Sequence, residues 1–106
     1  MRLGNKDGML MQTVPGKNKV HDVLIYTVST CGWCKKTKRL LESLGVEYSF
    51  IDIDLVPADQ KEKVTGEMMR HNPRCSTPTL VIDKGKDVIV GYQEDRIRNL
   101  LGGGAA

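Results

Sequence analysis

The chain has 106 residues, 40% of them hydrophobic, which suits one compact domain with a modest core and leaves no room for a second. Sixteen lysines and arginines against thirteen acids give a net charge of +3, too slight to mark a nucleic-acid-binding face, which needs a concentrated basic surface with stacking aromatics. No stretch approaches the ~20 apolar residues of a membrane span, and Met9-Leu10-Met11 is too short for the hydrophobic region of an export signal; the expectation is a cytoplasmic protein with neither membrane nor nucleic-acid partner.

Residues 1–19 are rich in Gly, Lys and Asn and lack apolar periodicity, which predicts a mobile leader. The domain proper is expected over residues 20–101, and residues 102–106, Gly102-Gly103-Gly104-Ala105-Ala106, are expected to fray. Residues 23–28 form a β-branched and aliphatic run of the kind buried on both faces of a sheet. Residues 34–44 switch to helical spacing. Trp33, Thr37, Leu40, Leu41 and Leu44 share one side, while Lys35, Lys36, Lys38, Arg39 and Glu42 fall mostly on the other. Gly45 supplies the stop.

Residues 48–54 alternate, with Ser49, Ile51 and Ile53 on one face and Tyr48, Phe50 and Asp52 on the other, which predicts a second strand. Strand, helix and strand in succession imply a parallel pair joined by a right-handed crossover. Pro57 opens a second helix reaching about Met69, with Val64 and Met68 as inward anchors one turn apart. Gly66 weakens it by ~1 kcal/mol, and Asn72-Pro73 ends it, because a residue before proline avoids the helical region. Residues 79–83 and 88–90 read as two short strands around Lys84-Gly85-Lys86-Asp87, a hairpin. Ile97, Leu100 and Leu101 mark a last helix, with Glu94 and Asp95 in its first turn and Gly102 past its end. The predicted order is βαβαββα.

Between the first strand and first helix stands Cys31-Gly32-Trp33-Cys34. Two intervening residues let both sulfurs sit on the first helical turn and close a small disulfide ring. The helix N-terminus offers unpaired N–H groups and partial positive charge that stabilise a thiolate. Cys31 is the expected exposed attacker and Cys34, one turn in, the expected resolver. The same spacing forms half of many zinc sites, which need a second ligand pair. Cys75, His21 and His71 are the other candidates, and they form neither a second CxxC nor a close His pair. Zinc, an iron–sulfur centre and an inert pair remain the alternatives to a redox dithiol. Three cysteines without an export signal fit a reducing compartment, where a CxxC is more often catalytic than structural.

Several neighbouring residues carry two readings. Trp33 is either an apolar docking surface for substrate or a cap on the core. Lys35, Lys36, Lys38 and Arg39 either lower the Cys31 pKa and steer acidic partners or form a solvated helix face. Cys75 is a regulatory thiol, a glutathionylation point or a third metal ligand, against the plainer role of a small half-buried hydrophobe. Arg74 is either a carboxylate holder or merely exposed. His21 is expected to face solvent with no task.

The element order, Tyr26-Thr27-Val28-Ser29-Thr30-Cys31-Gly32-Trp33-Cys34, the turn Ser76-Thr77-Pro78, and Gly91-Tyr92-Gln93-Glu94-Asp95-Arg96-Ile97 together resemble the glutaredoxin branch of the thioredoxin superfamily, over residues 23–101. The resemblance implies an α/β thioredoxin fold with a four-stranded mixed sheet flanked by three helices. It also implies that Pro78 is cis and faces the dithiol, with Thr77 pairing its backbone with a bound peptide or glutathione. Catalytic Cys31 and Cys34 would then be ringed by Trp33, Ser76, Thr77, Pro78, Gly91 and Tyr92 as the substrate-binding set. Many glutathione-using glutaredoxins carry a lysine where this chain has Val28 and a Gly-Gly pair where it has Val90-Gly91. Thioredoxins carry a buried aspartate where Ile25 stands. The segment from Gly91 to Ile97 is similar to small redoxins fed by a thioredoxin-reductase-like or ferredoxin-linked reductase. The resemblance therefore implies a monomeric thiol–disulfide oxidoreductase acting on protein disulfides, with no bound cofactor or metal. Its recharging falls to a protein reductase, with glutathione the weaker donor. The competing expectation is an iron–sulfur module in which Cys31 of two chains, with glutathione or Cys75, holds the cluster.

Overall fold

Alternate side chains of the first predicted strand serve two different cores, so the sheet must be covered on both faces. Val23 and Ile25 pack into one apolar cluster and Leu24 and Tyr26 into or against another, which is the period-2 geometry of a strand expressed as two layers. The computed structural model describes residues 11–102. The first ten residues of the expected leader, and residues 103–106 of the expected tail, lie outside the described residues.

The elements in chain order are β1 (Gln12–Val14), β2 (Val23–Thr27), α1 (Gly32–Ser43), β3 (Tyr48–Asp52), α2 (Ala58–His71), β4 (Thr79–Ile82), β5 (Asp87–Val90) and α3 (Glu94–Ile97), the last continued by a wider π-type turn, Arg98–Gly102. The sheet runs β1-β3-β2-β4-β5. β2 and β3 are parallel, from Leu24 opposite Ser49 to Thr27 opposite Asp52. β1 pairs antiparallel with β3, β4 with β2, and β5 with β4. This is the α/β thioredoxin-like architecture, with its mixed sheet and three helices.

One core joins Val23, Ile25, Tyr48, Leu80, Ile82 and Ile89 of the sheet to Leu40 and Leu41 of α1 and Ile97 and Leu101 at the C-terminal end. The other joins Tyr26, Ile51 and Val81 to Val64 and Met68 of α2. Ile25, Leu41, Met68, Leu80, Ile82, Ile89 and Ile97 are all wholly buried, each contributing roughly 1.5–3 kcal/mol relative to exposure. Gly45 stops α1 with a φ of +71°, a conformation open to glycine and costly for other residues. Among the described residues no helix is long and apolar enough to cross a membrane.

The sheet corrects the expected four strands to five. Gln12–Val14, inside the stretch read as leader, pairs with Phe50, Ser49 and Tyr48, and Thr13 and Ser49 hydroxyls meet at 2.9 Å. The chain beyond it is stitched in by Asn18. Its N–H donates to Gly45 O at 2.9 Å, its O accepts Glu47 N–H at 3.0 Å, and its Nδ2 donates to Leu101 O at 3.0 Å. β3 ends at Asp52, and Ile53–Leu55 turns as a short 3-10 helix. His21, expected to have no task, sits 2.8 Å from Asp83 Oδ2, and Asp83 Oδ1 accepts the Asp22 N–H at 3.0 Å. Lys38 leaves the solvated face: its Nζ is 3.8 Å from Asp52 Oδ1 and 3.7 Å from the Phe50 ring centroid.

Candidate active site

The strand directions gather the site. β2 ends at Thr27 and feeds the loop to Cys31, β4 begins at Thr79 opposite Tyr26, and β5 ends at Val90 opposite Thr79. The CxxC motif, the Thr77-Pro78 turn and Gly91 therefore meet at one end of the sheet.

Cys31 is the N-cap of α1, in extended conformation (φ −81°, ψ 115°). First-turn amides have no helical acceptor, and here the Cys34 N–H donates to Cys31 Sγ at 3.1 Å. Cys31 is partly exposed, whereas Cys34 is 1% exposed. Both are free thiols, and their surroundings drive them apart. Burial pushes the Cys31 thiol up, but donation from the Cys34 side chain and backbone, the Thr77 side chain and the Trp33 backbone outweighs it and holds Cys31 below the ordinary thiol value. Burial and the Cys31 sulfur push Cys34 up to about 11, although the Val28 N–H and the Thr77 side chain pull the other way. The arrangement favours ionisation of the surface thiol and protonation of the thiol beneath it. Thr77 was expected to act through its backbone; its side chain also acts on both sulfurs.

The Thr77–Pro78 peptide bond is cis, as the resemblance implied. Pro78 O accepts the Gly91 N–H at 2.8 Å, and Gly91 turns with φ +83°, carrying the chain away from β5 so that Tyr92 stands at the groove edge. Trp33 is 58% exposed and so caps no core. Its ring stacks on Tyr92 with centroids 5.7 Å apart and planes inclined by 28°. Lys36 Nζ lies 5.1 Å from the Trp33 centroid and 5.6 Å from that of Tyr92, within cation–π range. Trp33, Thr77, Pro78, Gly91 and Tyr92 line a shallow groove of about 280 Å³. Ser76 stands outside that lining. Its Oγ and O accept from Asn72 Nδ2 at 3.0 and 3.3 Å, and its O also accepts from Thr79 Oγ1 at 2.6 Å.

Cys75 points away from this groove. Its Sγ is 3.5 Å from Met68 Sδ, and it packs against the α2 core, the placement of a half-buried hydrophobe. The His71 ring lies against Gly85, whose added Cβ would stand 2.8 Å from it. Among the described residues no three His, Cys, Asp or Glu side chains converge as a metal would require. Asp54, which no motif or periodicity singles out, accepts the Ser29 N–H at 2.9 Å in the loop leading to Cys31. These two residues are 25 apart in the chain, and only the parallel pairing of β2 with β3 makes them neighbours.

Comparison with known proteins agrees with this geometry. The family model for glutaredoxin matches residues 23–88. A glutaredoxin-like 8.6 kDa protein in a rubredoxin operon of Clostridium pasteurianum is 35% identical over 79 residues, covering 74% of this chain and 96% of the relative. The crystal structure of a glutaredoxin from Methanosarcina mazei superposes with a TM-score of 0.77 at 39% identity, covering 87% of each chain. The crystal structure of methanoredoxin from Methanosarcina acetivorans gives 0.71 at 40% identity, covering 76% of this chain and 84% of that one.

Proposed function

The chain belongs to the glutaredoxin family, and from that premise we propose that this thiol–disulfide oxidoreductase reduces protein disulfides as a cytoplasmic monomer recharged by a protein reductase more than by glutathione. The Cys31 thiolate attacks one sulfur of a target disulfide, and the other leaves as a thiolate that takes up a proton. Cys34 then loses its proton and attacks Cys31 Sγ. The target leaves reduced, and a Cys31–Cys34 disulfide remains. Two electrons from the donor reopen it. Trp33, Thr77, Pro78, Gly91 and Tyr92 hold an extended segment of the partner beside Cys31, and Ser76 shapes the turn that presents Thr77.

One observation carries the choice of donor. Glutathione brings two carboxylates and an ammonium group, and the five residues lining the groove offer no charged side chain to meet them. Lys36 faces two aromatic rings. Val28 and Val90 stand where many glutathione-using glutaredoxins carry a lysine and the first glycine of a Gly-Gly pair. Pairing of backbone and aromatic surface suits a polypeptide better than a small zwitterion.

The test compares steady-state reduction of one protein disulfide with the dithiol recharged either by glutathione and its reductase or by NADPH and a thioredoxin-reductase-type flavoprotein. Faster turnover with the protein donor supports the reading. Equal or faster turnover with glutathione defeats it.

A further inference from the structure

Asp54 lies outside the CxxC motif and outside the groove, yet it grips the segment on which both sulfurs depend. It sits in the turn Ile53–Leu55 that follows β3. Oδ1 accepts the Ser29 N–H at 2.9 Å and Oδ2 accepts Ser29 Oγ at 2.5 Å. Ser29 occupies the middle of the loop between β2 and α1. On one side of it, Val28 O accepts the Cys31 N–H at 2.9 Å. On the other side, Thr30 runs directly into Cys31. The groups acting most strongly on Cys31 are Cys34, Thr77 and Trp33, and those acting most strongly on Cys34 are Cys31, Val28 and Thr77.

We propose that Asp54 is a positioning residue for the dithiol, its two carboxylate oxygens clamping Ser29 so that residues 28–30 seat Cys31 at the helix N-terminus, where the Cys34 N–H donates to its sulfur. A two-point grip on one residue fixes that residue's position and its orientation, which a single hydrogen bond does not. Loosening it frees the loop, weakens the donation from the Cys34 N–H to the Cys31 sulfur in the reduced form, and so tilts the exchange toward the disulfide. The exchange is balanced: protein dithiol plus oxidised dithiothreitol gives protein disulfide plus reduced dithiothreitol, with two electrons and two protons passing between them. The inference rests on Cys31 and Cys34 being the working pair, whatever the donor.

Equilibration of wild type, Asp54→Ala and Asp54→Asn against a dithiothreitol series, with thiols trapped by alkylation and read by mass, tests it. Asparagine keeps an acceptor for the Ser29 N–H and a donor for Ser29 Oγ while removing the charge; alanine removes both contacts. We expect Asp54→Ala to raise the equilibrium constant for disulfide formation about fivefold and Asp54→Asn to stay within about twofold of wild type, the scale of one hydrogen bond. Asp54→Ala matching wild type overturns the proposal, as does Asp54→Asn shifting as far as Asp54→Ala, because charge rather than the clamp would then be acting. Should Asp54→Ala lose its near-ultraviolet circular dichroism, Ser29→Ala, which removes the Oγ contact alone, takes its place. A shift in the same sense supports the clamp and no shift overturns it. Wild type forming no Cys31–Cys34 disulfide in the same titration overturns the dithiol reading instead.

Discussion

Limited alkylation of the reduced protein should divide very unequally between the two active-site thiols, and the division can be worked out from their surroundings. Cys34 is pushed up to about 11 from 9.0 for an ordinary thiol. At neutral pH its thiolate fraction is therefore about a hundredfold below that of an ordinary cysteine. A more basic thiolate is also a better nucleophile, with a Brønsted slope of about 0.4–0.5, which returns roughly tenfold. Ionisation alone thus leaves Cys34 about tenfold slower than an ordinary thiol, and its 1% exposure slows it further. Cys31 is held below the ordinary value and is partly exposed. The assay is substoichiometric iodoacetamide across a pH series, with peptide mass mapping of the first alkyl group only, since modification of Cys31 removes the thiolate that helps raise Cys34. At neutral pH Cys31 should take the group by at least about ten to one, and the preference should decline once pH passes the Cys31 value, because Cys31 is then fully ionised while ionisation of Cys34 still grows toward its own value of about 11. Cys34→Ala should raise the Cys31 pKa by removing the S–H donor, while Cys34→Ser, which keeps a donor, should raise it less. Equal division at neutral pH, or Cys34 reacting first, refutes the reasoning.

Trp33 is the only tryptophan in the sequence, so its fluorescence should change when the neighbouring dithiol is oxidised, and Tyr92→Ala should alter the reduced-state signal by removing the stacked ring. Met68→Ala, at a wholly buried position between α2 and the sheet, should cost about 2–5 kcal/mol of unfolding free energy by chemical denaturation while leaving the Cys31 alkylation rate unchanged. Gly16→Ala places a Cβ 2.5 Å from Gly45 O and 2.6 Å from Glu47 N; because both obstacles are backbone, thermal melting should show destabilisation of about 1–3 kcal/mol. Asp83 is held below the ordinary carboxylate range by the Asp22 N–H and by His21. It binds a proton less readily folded than unfolded, so its contribution is full above the unfolded value of about 3.9 and fades as pH falls through the lower folded one. Asp83→Asn should therefore reduce stability at neutral pH and flatten the acid limb of a stability-versus-pH curve, and an unchanged acid limb would exclude the pairing as its source.

What the sequence disclosed and what it hid follow one physical division. Apolar runs and helical spacing disclosed β2, α1, α2, the hairpin and both inward anchors Val64 and Met68, because burial of side chains is written in local periodicity. The CxxC before a helix disclosed the dithiol because its chemistry needs only four consecutive residues. β1 was hidden because only Val14 of its three residues packs against the core, while Gln12 and Thr13 are exposed and the strand is made by backbone pairing with β3, so no apolar alternation marks it. Asp54 and His21 were hidden because their partners, Ser29 and Asp83, are far along the chain, and a single carboxylate or histidine has no period to betray it. Lys38 was misplaced because helical spacing assigns a side, whereas a long stem can reach across to Asp52 and lie over Phe50 on the way. Trp33 could be assigned to the helix's apolar side by spacing but not to its role, because at the first turn its exposed side chain leaves the helix toward Tyr92 before the buried stripe begins.

β1 also bears on how copies of this chain behave together. An open row of N–H and C=O groups along β3 would be a template on which another chain could add itself, the common start of edge-to-edge aggregation. Gln12–Val14 occupies that row and turns a polar, exposed surface outward in its place. Three residues with no share in the chemistry thus act on colloidal behaviour. A chain trimmed to begin at Pro15 would keep its thiols and its groove but uncover the β3 edge, and its solubility limit, more than its activity, is where the loss would be felt.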